Sequence, residues 1–286
     1  MGRFAPSPSG DLHLGSLFTA AASCLDARAH GGRWLLRVED LDRPREVAGS
    51  AEGILQTLAQ FGFEWDGLTR QSERGEFYAD ALRQLQAQHR TFACTCSRAQ
   101  LEDELRYPGT CRDRPVAPEV PAAIRLRVDS REIRFTDRIQ GTYRQEVAAA
   151  VGDIILKRRD QIVAYVLAVV VDDAAQGVTH IVRGADLLDN TPRQIYLQQL
   201  LGYAEPRYAH VPVLTEPDGS KLAKSRRSVA AGADSPLPQL LALFSLLGLA
   251  PPASLKSGPI SAAWSWAIDE WSVNKVPRRL DLRVSD

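Results

Sequence analysis

Hydrophobic and polar positions along this 286-residue chain alternate between strand-like and helix-like patterns. Short apolar runs bounded by turn residues predict strands, and stretches with apolar residues three or four apart predict helices. The predicted strands are 3–5, 33–38, 154–157 and 178–183, and the predicted helices begin near Gly15 and cover 51–61, 77–88, 162–173 and 190–201. Such regular alternation of strand and helix is typical of a parallel α/β domain.

The α/β pattern is interrupted in the middle of the chain. Residues 123–128 and 132–137 alternate apolar and polar positions, as half-buried antiparallel strands do, and the proline-rich stretch RPVAPEVP before them indicates a loop. We therefore predict an α/β catalytic domain in two halves, an insertion, and a C-terminal region that holds a loop and helices. The corresponding ranges are 1–91 with 151–204, 92–150, and 205–286.

Trp264, Trp266 and Trp271 lie in the predicted C-terminal helical region. Tryptophans in a nucleic-acid-binding protein can stack on bases. Their placement in an amphipathic helix favours packing in the core instead.

Composition gives the class of protein but no specific function. Hydrophobic residues make up 44% of the chain and charged residues 24%, as in ordinary globular proteins. The 35 basic and 35 acidic side chains balance, which disfavours an extensive basic surface for nucleic acid, although small basic patches occur at 157–159 and 224–227. The chain start lacks the apolar run of a signal peptide, and the longest apolar stretch, 162–171, is too short for a membrane span. We expect a cytoplasmic monomer that does not bind membranes.

The stretch Arg3 to Ser16, RFAPSPSGDLHLGS, has the features of a phosphate-binding turn. A strand ends, proline and glycine impose a turn, and a helix begins, so that unpaired backbone N–H groups and the helix dipole face the ligand. His13 adds a hydrogen-bond donor, and Gly15 allows close approach of the backbone. His-Leu-Gly by itself is also compatible with an ordinary surface histidine.

The stretch Lys221 to Ser225, KLAKS, follows a strand-like HVPVL and the turn EPDG. Lysines on such a loop can stabilise the negative charge that develops as pyrophosphate leaves ATP. A hairpin that happens to carry lysines is the alternative interpretation.

Together the two stretches resemble the HIGH and KMSKS elements of class I aminoacyl-tRNA synthetases. RFAPSPSG, RVEDLDRPR (37–45) and THIVRGADLLDNTPRQI (179–195) resemble the glutamyl branch in particular. Ser16, Leu222 and Ala223 depart from the two motifs at positions that commonly vary in this branch. The resemblance covers about residues 3–225 and implies a Rossmann-type catalytic domain that uses ATP with Mg²⁺. It assigns ATP binding to His13, Gly15 and Lys224, and catalysis to His13, Gly15, Lys221 and Lys224.

A glutamate pocket should offer cationic groups for two carboxylates and an anionic group for one ammonium. The resemblance assigns Arg3 and Arg183 to the carboxylates, Glu39 to the ammonium and Tyr165 as a hydroxyl group in the pocket. It also places the turn residues Phe4, Ala5, Pro6 and Ser7 in this pocket. A structural salt bridge is the alternative role for Arg183, and capping beside Asp40 and Asp42 is the alternative for Glu39.

The four cysteines are unevenly distributed. Cys24 falls on the apolar side of a predicted helix and is expected in the core. Cys94, Cys96 and Cys111 lie close together, and clustered cysteines in a cytosolic protein more often hold zinc than form disulfides. The segment contains no histidine as a fourth ligand, and His89 lies at the end of the preceding helix. The short glutamyl paralogues bind their metal through Cys-x-Cys, a tyrosine and a final cysteine, which implies one structural Zn²⁺ held by Cys94, Cys96, Tyr107 and Cys111.

The chain ends soon after KLAKS, so we expect no anticodon-binding domain of the full-length kind. Ala185 and residues 187–189 also differ from the RGEDHLSNTP that full-length enzymes tend to carry. The resemblance is therefore to the short paralogous family, the glutamyl-Q tRNA(Asp) synthetases. It implies tRNA-independent activation of L-glutamate and transfer to queuosine at the wobble position of aspartate tRNA. The alternatives are a truncated enzyme that charges glutamate tRNA, a cofactor-forming nucleotidyltransferase, and a non-enzymatic tRNA- or protein-binding pseudo-synthetase.

Overall fold

The computed structural model describes residues 1–97, 99–101, 106–216 and 236–284. Its helices are α1 (Leu14–Arg28), α2 (Ser50–Gln60), α3 (Gly75–Ala87), α4 (Val147–Ala150), α5 (Tyr165–Ala175), α6 (Thr191–Leu201), α7 (Pro236–Leu246) and α8 (Ile260–Glu270). Its strands are β1 (Gly2–Phe4), β2 (Trp34–Val38), β3 (Leu68–Arg70), β4 (Thr91–Cys94), β5 (Ala123–Leu126), β6 (Glu132–Asp137), β7 (Gly141–Glu146), β8 (Ile154–Lys157), β9 (His180–Gly184), β10 (Arg207–Val211), β11 (Val213–Thr215) and β12 (Asp281–Arg283). The segment that contains KLAKS lies outside the described residues.

Parallel strands form the centre of the fold, as the sequence predicts. β1 pairs with β2, β2 pairs with β3, and β9 pairs with β10. The backbone N–H groups of Thr179 and His180 both donate to the carbonyl of Met1, which brings β9 beside the start of β1. The chain thus leaves β1 toward β2 on one side and returns as β9 on the other. In open α/β sheets, the crevice at such a reversal is the usual ligand site.

The turn between β1 and α1 is fixed by contacts from two sides. Gly10 has φ +125°, a backbone conformation that favours glycine. The Ser50 hydroxyl at the start of α2 accepts from Gly10 N at 3.0 Å and donates to Gly10 O at 2.8 Å. Small residues let α1 lie close to the sheet, and Cys24 is buried in this packing, which confirms its predicted core position.

Two antiparallel sheets occupy the middle of the chain. β5 pairs with β4 and β8, whereas β6 and β7 form a separate hairpin. Strand 154–157 therefore belongs to an antiparallel sheet, although its position after the interruption suggested a return to the parallel pattern. Likewise, β10 lies in the parallel sheet although we assigned residue 205 onward to the C-terminal region.

One predicted helix begins later than its hydrophobic run. The run starts at residue 162, but α5 starts at Tyr165. Val163 forms a bridge with Lys157, and Ala164 N donates to Leu156 O at 2.9 Å. The β-branched residues before α5 are thus extended alongside β8, because pairing with that strand keeps them out of the helix.

The C-terminal helices pack against the α/β core through tryptophans. Trp264 Nε1 donates to Phe61 O at 2.8 Å, and Trp271 Nε1 donates to Asp26 Oδ1 at 3.1 Å. Trp264 and Trp271 are buried, and Trp266 packs partly buried against the same core. The predicted packing role of these tryptophans is confirmed. In the described ranges, no helix is both long and apolar enough to span a membrane.

Candidate active site

A cavity of about 290 Å³ opens at the carboxyl ends of β1 and β9, where the strand order reverses. The predicted site residues that line it are Arg3, Phe4, Ala5, Pro6, Ser7, His13, Gly15, Tyr165 and Arg183. An adjoining cavity of about 350 Å³ contains Glu39 and shares Ser7, Ser9 and Tyr165 with the first. The structure thus brings together the predicted pocket residues, whereas Lys221 and Lys224 lie outside the described residues.

The N-terminus of α1 faces the first cavity. His13 caps this helix, because its Nδ1 accepts the backbone N–H of Ser16 at 3.2 Å. A Cβ on Gly15 would lie 3.1 Å from the His13 ring, so glycine leaves room for the imidazole. The first turn of α1 has no acidic residue to neutralise the positive end of the helix dipole. This end of the cavity is therefore suited to an anion such as phosphate.

Arg183 extends from β9 toward the cavity, with two of its three guanidinium nitrogens engaged in hydrogen bonds. Its Nε donates to His210 Nε2 at 3.0 Å and its Nη2 donates to Thr191 Oγ1 at 2.8 Å. Its Nη1 is buried and has no hydrogen-bond partner among the described residues. The salt-bridge alternative gains no support, since no acidic partner of Arg183 occurs in the described part of the chain. A buried guanidinium N–H without a hydrogen-bond partner is suited to bind a carboxylate of a ligand.

Arg3 belongs to a buried charge network that sequence reasoning missed. Its Nε and Nη2 donate to the two carboxylate oxygens of Asp173 at 3.1 and 3.3 Å. Arg37 Nη2 lies 2.8 Å from Asp173 Oδ1, and Arg37 Nε lies 3.7 Å from Asp172 Oδ2. Burial by itself would raise the pKa of Asp173, but Arg3 and Arg37 outweigh it and hold that pKa below its usual value. The available signal was the presence of charged residues inside the apolar runs WLLRV and YVLAVVVDD.

Glu39 is the acidic counterpart of Arg183 in this site. Its Oε1 is buried without a hydrogen-bond partner in the described structure, and the nearest cationic group is Arg37 Nη2 at 3.7 Å. Burial raises the pKa of Glu39 to about 7, against the opposing effect of Arg37 and Arg3. The capping role falls to Asp40, which accepts from Ser72 N at 2.8 Å and Ser72 Oγ at 2.7 Å. Glu39 is thus a buried carboxylate that an ammonium ligand would stabilise in its charged form.

Tyr165 lies where the cavities meet. It is the first residue of α5, is 38% exposed, and lines both the first and the second cavity. Its phenol is therefore accessible to a ligand in either cavity.

The predicted metal ligands form a compact cluster at the end of β4. The sulfur atoms of Cys94, Cys96 and Cys111 all lie within 4.8 Å of one another, and the described residues add no histidine to this group. The Cys96 and Cys111 sulfurs are 3.5 Å apart, and all three cysteines are free thiols. The Tyr107 hydroxyl lies 3.4 Å from Cys94 Sγ and accepts the Cys111 N–H at 2.9 Å.

This spacing suits a tetrahedral ion. Two thiolates that bind one zinc at about 2.3 Å in tetrahedral geometry are about 3.8 Å apart. The Cys111 pKa is lowered to about 6, because hydrogen bonds from the Thr95 backbone and from Cys96 and Tyr107 outweigh the effect of burial. The three thiols and one phenol can therefore supply four donors to a metal ion.

Comparisons with known proteins identify the family of this chain. Residues 1–255 match the family model described as tRNA synthetases class I (E and Q), catalytic domain. The glutamyl-Q tRNA(Asp) synthetase of Pseudomonas paraeruginosa is 55% identical over 284 residues, which cover 99% of this chain and 97% of the relative. The protein of the same name from Pseudomonas fluorescens is 54% identical over 284 residues, covering 99% and 95% of the two chains.

A solved structure supports the fold over the same length. The glutamate tRNA ligase of Elizabethkingia meningosepticum, determined in complex with its amino acid, superimposes with a TM-score of 0.84 at 26% identity. The match covers 99% of this chain and 66% of that protein. The chain therefore belongs to the class I (E and Q) tRNA synthetases and, within them, to the glutamyl-Q tRNA(Asp) synthetases.

Proposed function

We propose that this protein activates L-glutamate with ATP and transfers it to queuosine at the wobble position of aspartate tRNA. The observation that carries the first step is a pair of buried atoms of opposite charge that lack hydrogen-bond partners among the described residues, Arg183 Nη1 and Glu39 Oε1, in two adjoining cavities. A free acidic amino acid supplies a carboxylate for one and an ammonium for the other.

Glutamate recognition rests on groups of both cavities. Arg183 and Arg3 bind carboxylate oxygens of the substrate, and Glu39 binds its ammonium. Tyr165 donates its phenol O–H to the bound amino acid, and the turn from Phe4 to Ser7 forms the adjoining wall. Because Asp173 already fixes Arg3, that guanidinium changes little in orientation when substrate binds.

Activation is an in-line displacement at the α-phosphorus of ATP. A carboxylate oxygen of glutamate forms the new P–O bond, and the bond to pyrophosphate breaks, which gives glutamyl-adenylate. His13 and the N-terminus of α1 hold the phosphates, and Gly15 lets the backbone approach them. Lys221 and Lys224, together with Mg²⁺ bound to ATP, stabilise the departing pyrophosphate.

Transfer uses a hydroxyl of queuosine as the nucleophile. Its oxygen attacks the carbonyl carbon of the adenylate, an ester forms, and AMP leaves with the bonding electrons, while the hydroxyl proton passes to the departing phosphate or to solvent. The names of the Pseudomonas relatives, which cover almost the whole of this chain, support this acceptor. The fold similarity to a glutamate tRNA ligase favours a second candidate, charging of glutamate tRNA at its 3′ end.

We also propose that Cys94, Cys96, Tyr107 and Cys111 hold one structural Zn²⁺. The four donor atoms lie at spacings that suit tetrahedral coordination, and Cys94, Tyr107 and Cys111 are buried. The ion would tie the Cys94–Cys96 segment to the Tyr107–Cys111 segment. Its contribution is to the stability of the insertion rather than to the reaction.

Exchange of labelled pyrophosphate into ATP tests the activation step. Purified protein without tRNA should support exchange with L-glutamate, and much less with L-glutamine or L-aspartate. Absence of exchange with all three amino acids, with and without tRNA, would contradict the proposal.

A further inference from the structure

Arg183 is held from behind by a chain of buried side chains that begins in the β6–β7 hairpin. Asp137 Oδ2 lies 2.6 Å from His210 Nδ1, and His210 Nε2 lies 3.0 Å from Arg183 Nε. Asp137, His210 and Arg183 are each no more than 3% exposed. His210 on β10 is the register partner of Arg183 on β9, so the two side chains leave neighbouring strands at the same level.

The directions of the hydrogen bonds that link Asp137, His210 and Arg183 are determined by chemistry. An arginine guanidinium stays protonated, so Arg183 Nε can only donate and His210 Nε2 must accept. The imidazole is then neutral and carries its proton on Nδ1, which donates to Asp137. Thr191 Oγ1 lies 3.1 Å from the same Nε2 and, as a hydroxyl, can donate to it. The tautomer of His210 thus follows from Asp137 on one side and Arg183 on the other.

Asp137 is itself fixed by the backbone. Its Oδ1 accepts the N–H groups of Ile139, Gln140 and His210 at 2.9, 2.8 and 3.1 Å. The orientation of its carboxylate is therefore set by the tip of the hairpin and by β10 together. A rigid acceptor at Oδ2 holds the imidazole in one plane.

We propose that Asp137 and His210 are positioning residues for glutamate recognition. Asp137 holds His210 in the Nδ1–H tautomer, and His210 Nε2 with Thr191 Oγ1 occupies two sides of the Arg183 guanidinium. Nη1 is then the group left to bind the substrate carboxylate. This inference rests on the proposed function and deepens it, since it makes the inserted hairpin part of amino-acid binding.

The electrostatics of the chain agree with this assignment. Burial lowers the pKa of His210, and the hydrogen bond to Asp137 only partly opposes that effect. Burial would raise the pKa of Asp137, but the hydrogen bonds from His210 and from the backbone outweigh it. A neutral histidine between a carboxylate and a guanidinium is the charge arrangement that the hydrogen bonds require.

Asp137→Asn tests the proposal with almost no change in side-chain volume. The asparagine oxygen can still accept the three backbone N–H groups, and its NH₂ group then faces His210 Nδ1. Because that NH₂ can only donate, the imidazole proton must move to Nε2, where it meets the N–H of Arg183. A flipped amide would place its NH₂ against three backbone donors instead.

We expect Asp137→Asn to raise the KM for glutamate in pyrophosphate exchange by about 10- to 100-fold, as for loss of a hydrogen bond to a charged group. The kcat and the KM for ATP should change far less, and calorimetric titration should show the same loss of glutamate affinity. Asp153→Asn is the matched control. Asp153 is also buried, and its carboxylate accepts the backbone N–H of Val128. That carboxylate has no hydrogen bond to His210 or Arg183. The KM of this control variant for glutamate should equal that of the wild type.

Thr191→Val provides a second test that does not depend on the folding of Asp137→Asn. It removes the acceptor of Arg183 Nη2 and should raise the KM for glutamate by roughly fivefold. If Asp137→Asn folds, an unchanged KM for glutamate in that variant would overturn the proposal. If Asp137→Asn does not fold, an unchanged KM for glutamate in Thr191→Val would overturn it. Wild-type exchange is measured in the same series, so failure of the proposed function would be recognised separately.

Discussion

Glu39→Gln should make the ligand-free protein more stable at alkaline pH while it abolishes tight glutamate binding. In the folded protein, burial raises the pKa of Glu39 to about 7, from the ordinary value of 4.5 that applies to the unfolded chain. The folded state therefore binds one more proton than the unfolded state between these two pKa values. Consequently, the free energy of unfolding falls as pH rises from 4.5 to 7 and is level above that range.

The size of the effect follows from the pKa difference. Each pKa unit corresponds to about 1.4 kcal/mol, so ionised Glu39 costs the ligand-free protein about 3 kcal/mol above pH 7. Glutamine at this position has no charge to bury. The stability of Glu39→Gln relative to the wild type should thus increase by about 2–3 kcal/mol between pH 5 and pH 8.

Urea unfolding followed by tryptophan fluorescence measures this difference at the two pH values. Glu46→Gln is a suitable control, because it removes an exposed carboxylate from the same cavity and should change stability by less than about 0.5 kcal/mol. Added L-glutamate should stabilise the wild type at pH 8 but not Glu39→Gln, since the substrate ammonium loses its partner. A stability difference that does not vary with pH, or wild-type glutamate affinity in Glu39→Gln, would refute the reasoning.

Three further predictions concern other parts of the molecule. Arg183→Lys should raise the KM for glutamate by about tenfold or more with a smaller change in kcat, because an ammonium cannot contact both His210 and Thr191 and also bind a carboxylate. An unchanged KM for glutamate in pyrophosphate exchange would contradict this prediction. Cys96→Ser should lower the zinc content, measured by elemental analysis, below the one ion per chain expected for the wild type, while Cys24→Ser should retain it and exchange should persist in both. Trp264→Phe should lower the free energy of unfolding by about 1–3 kcal/mol, since it leaves Phe61 O without its buried donor. Equal urea midpoints for the wild type and Trp264→Phe would contradict that packing role.

The sequence was informative where one local signal determines the structure. The turn PSPSG, with His13 at the start of α1, predicts both the phosphate-facing helix and the strand before it, because the turn and the cap involve neighbouring residues. The strand at 154–157 was also located correctly. Its antiparallel pairing was not predicted, since β5 lies about thirty residues earlier in the chain and nothing local to 154–157 indicates that partner.

The residues that position the ligand-binding side chains were harder to predict than the ligand-binding side chains themselves. His210 and Arg183 are 27 residues apart, and His210 and Asp137 are 73 residues apart. Nothing in the local pattern of either segment signals that they meet, because the contact arises from strand register. Charged residues within apolar runs, such as Arg37 and Asp173, were the one local indication of a buried network. Only the structure shows which of these residues pair with each other.

Transfer of labelled glutamate to aspartate tRNA is the most direct test of the proposed activity. The protein, supplied with ATP and labelled L-glutamate, is incubated with aspartate tRNA that contains queuosine and with the same tRNA that contains guanosine at the wobble position. We predict that label enters the queuosine-containing tRNA alone, and that it does so equally after removal of the 3′-terminal adenosine. Labelling of both tRNAs, loss of label with the 3′ end, or efficient charging of glutamate tRNA would contradict the account.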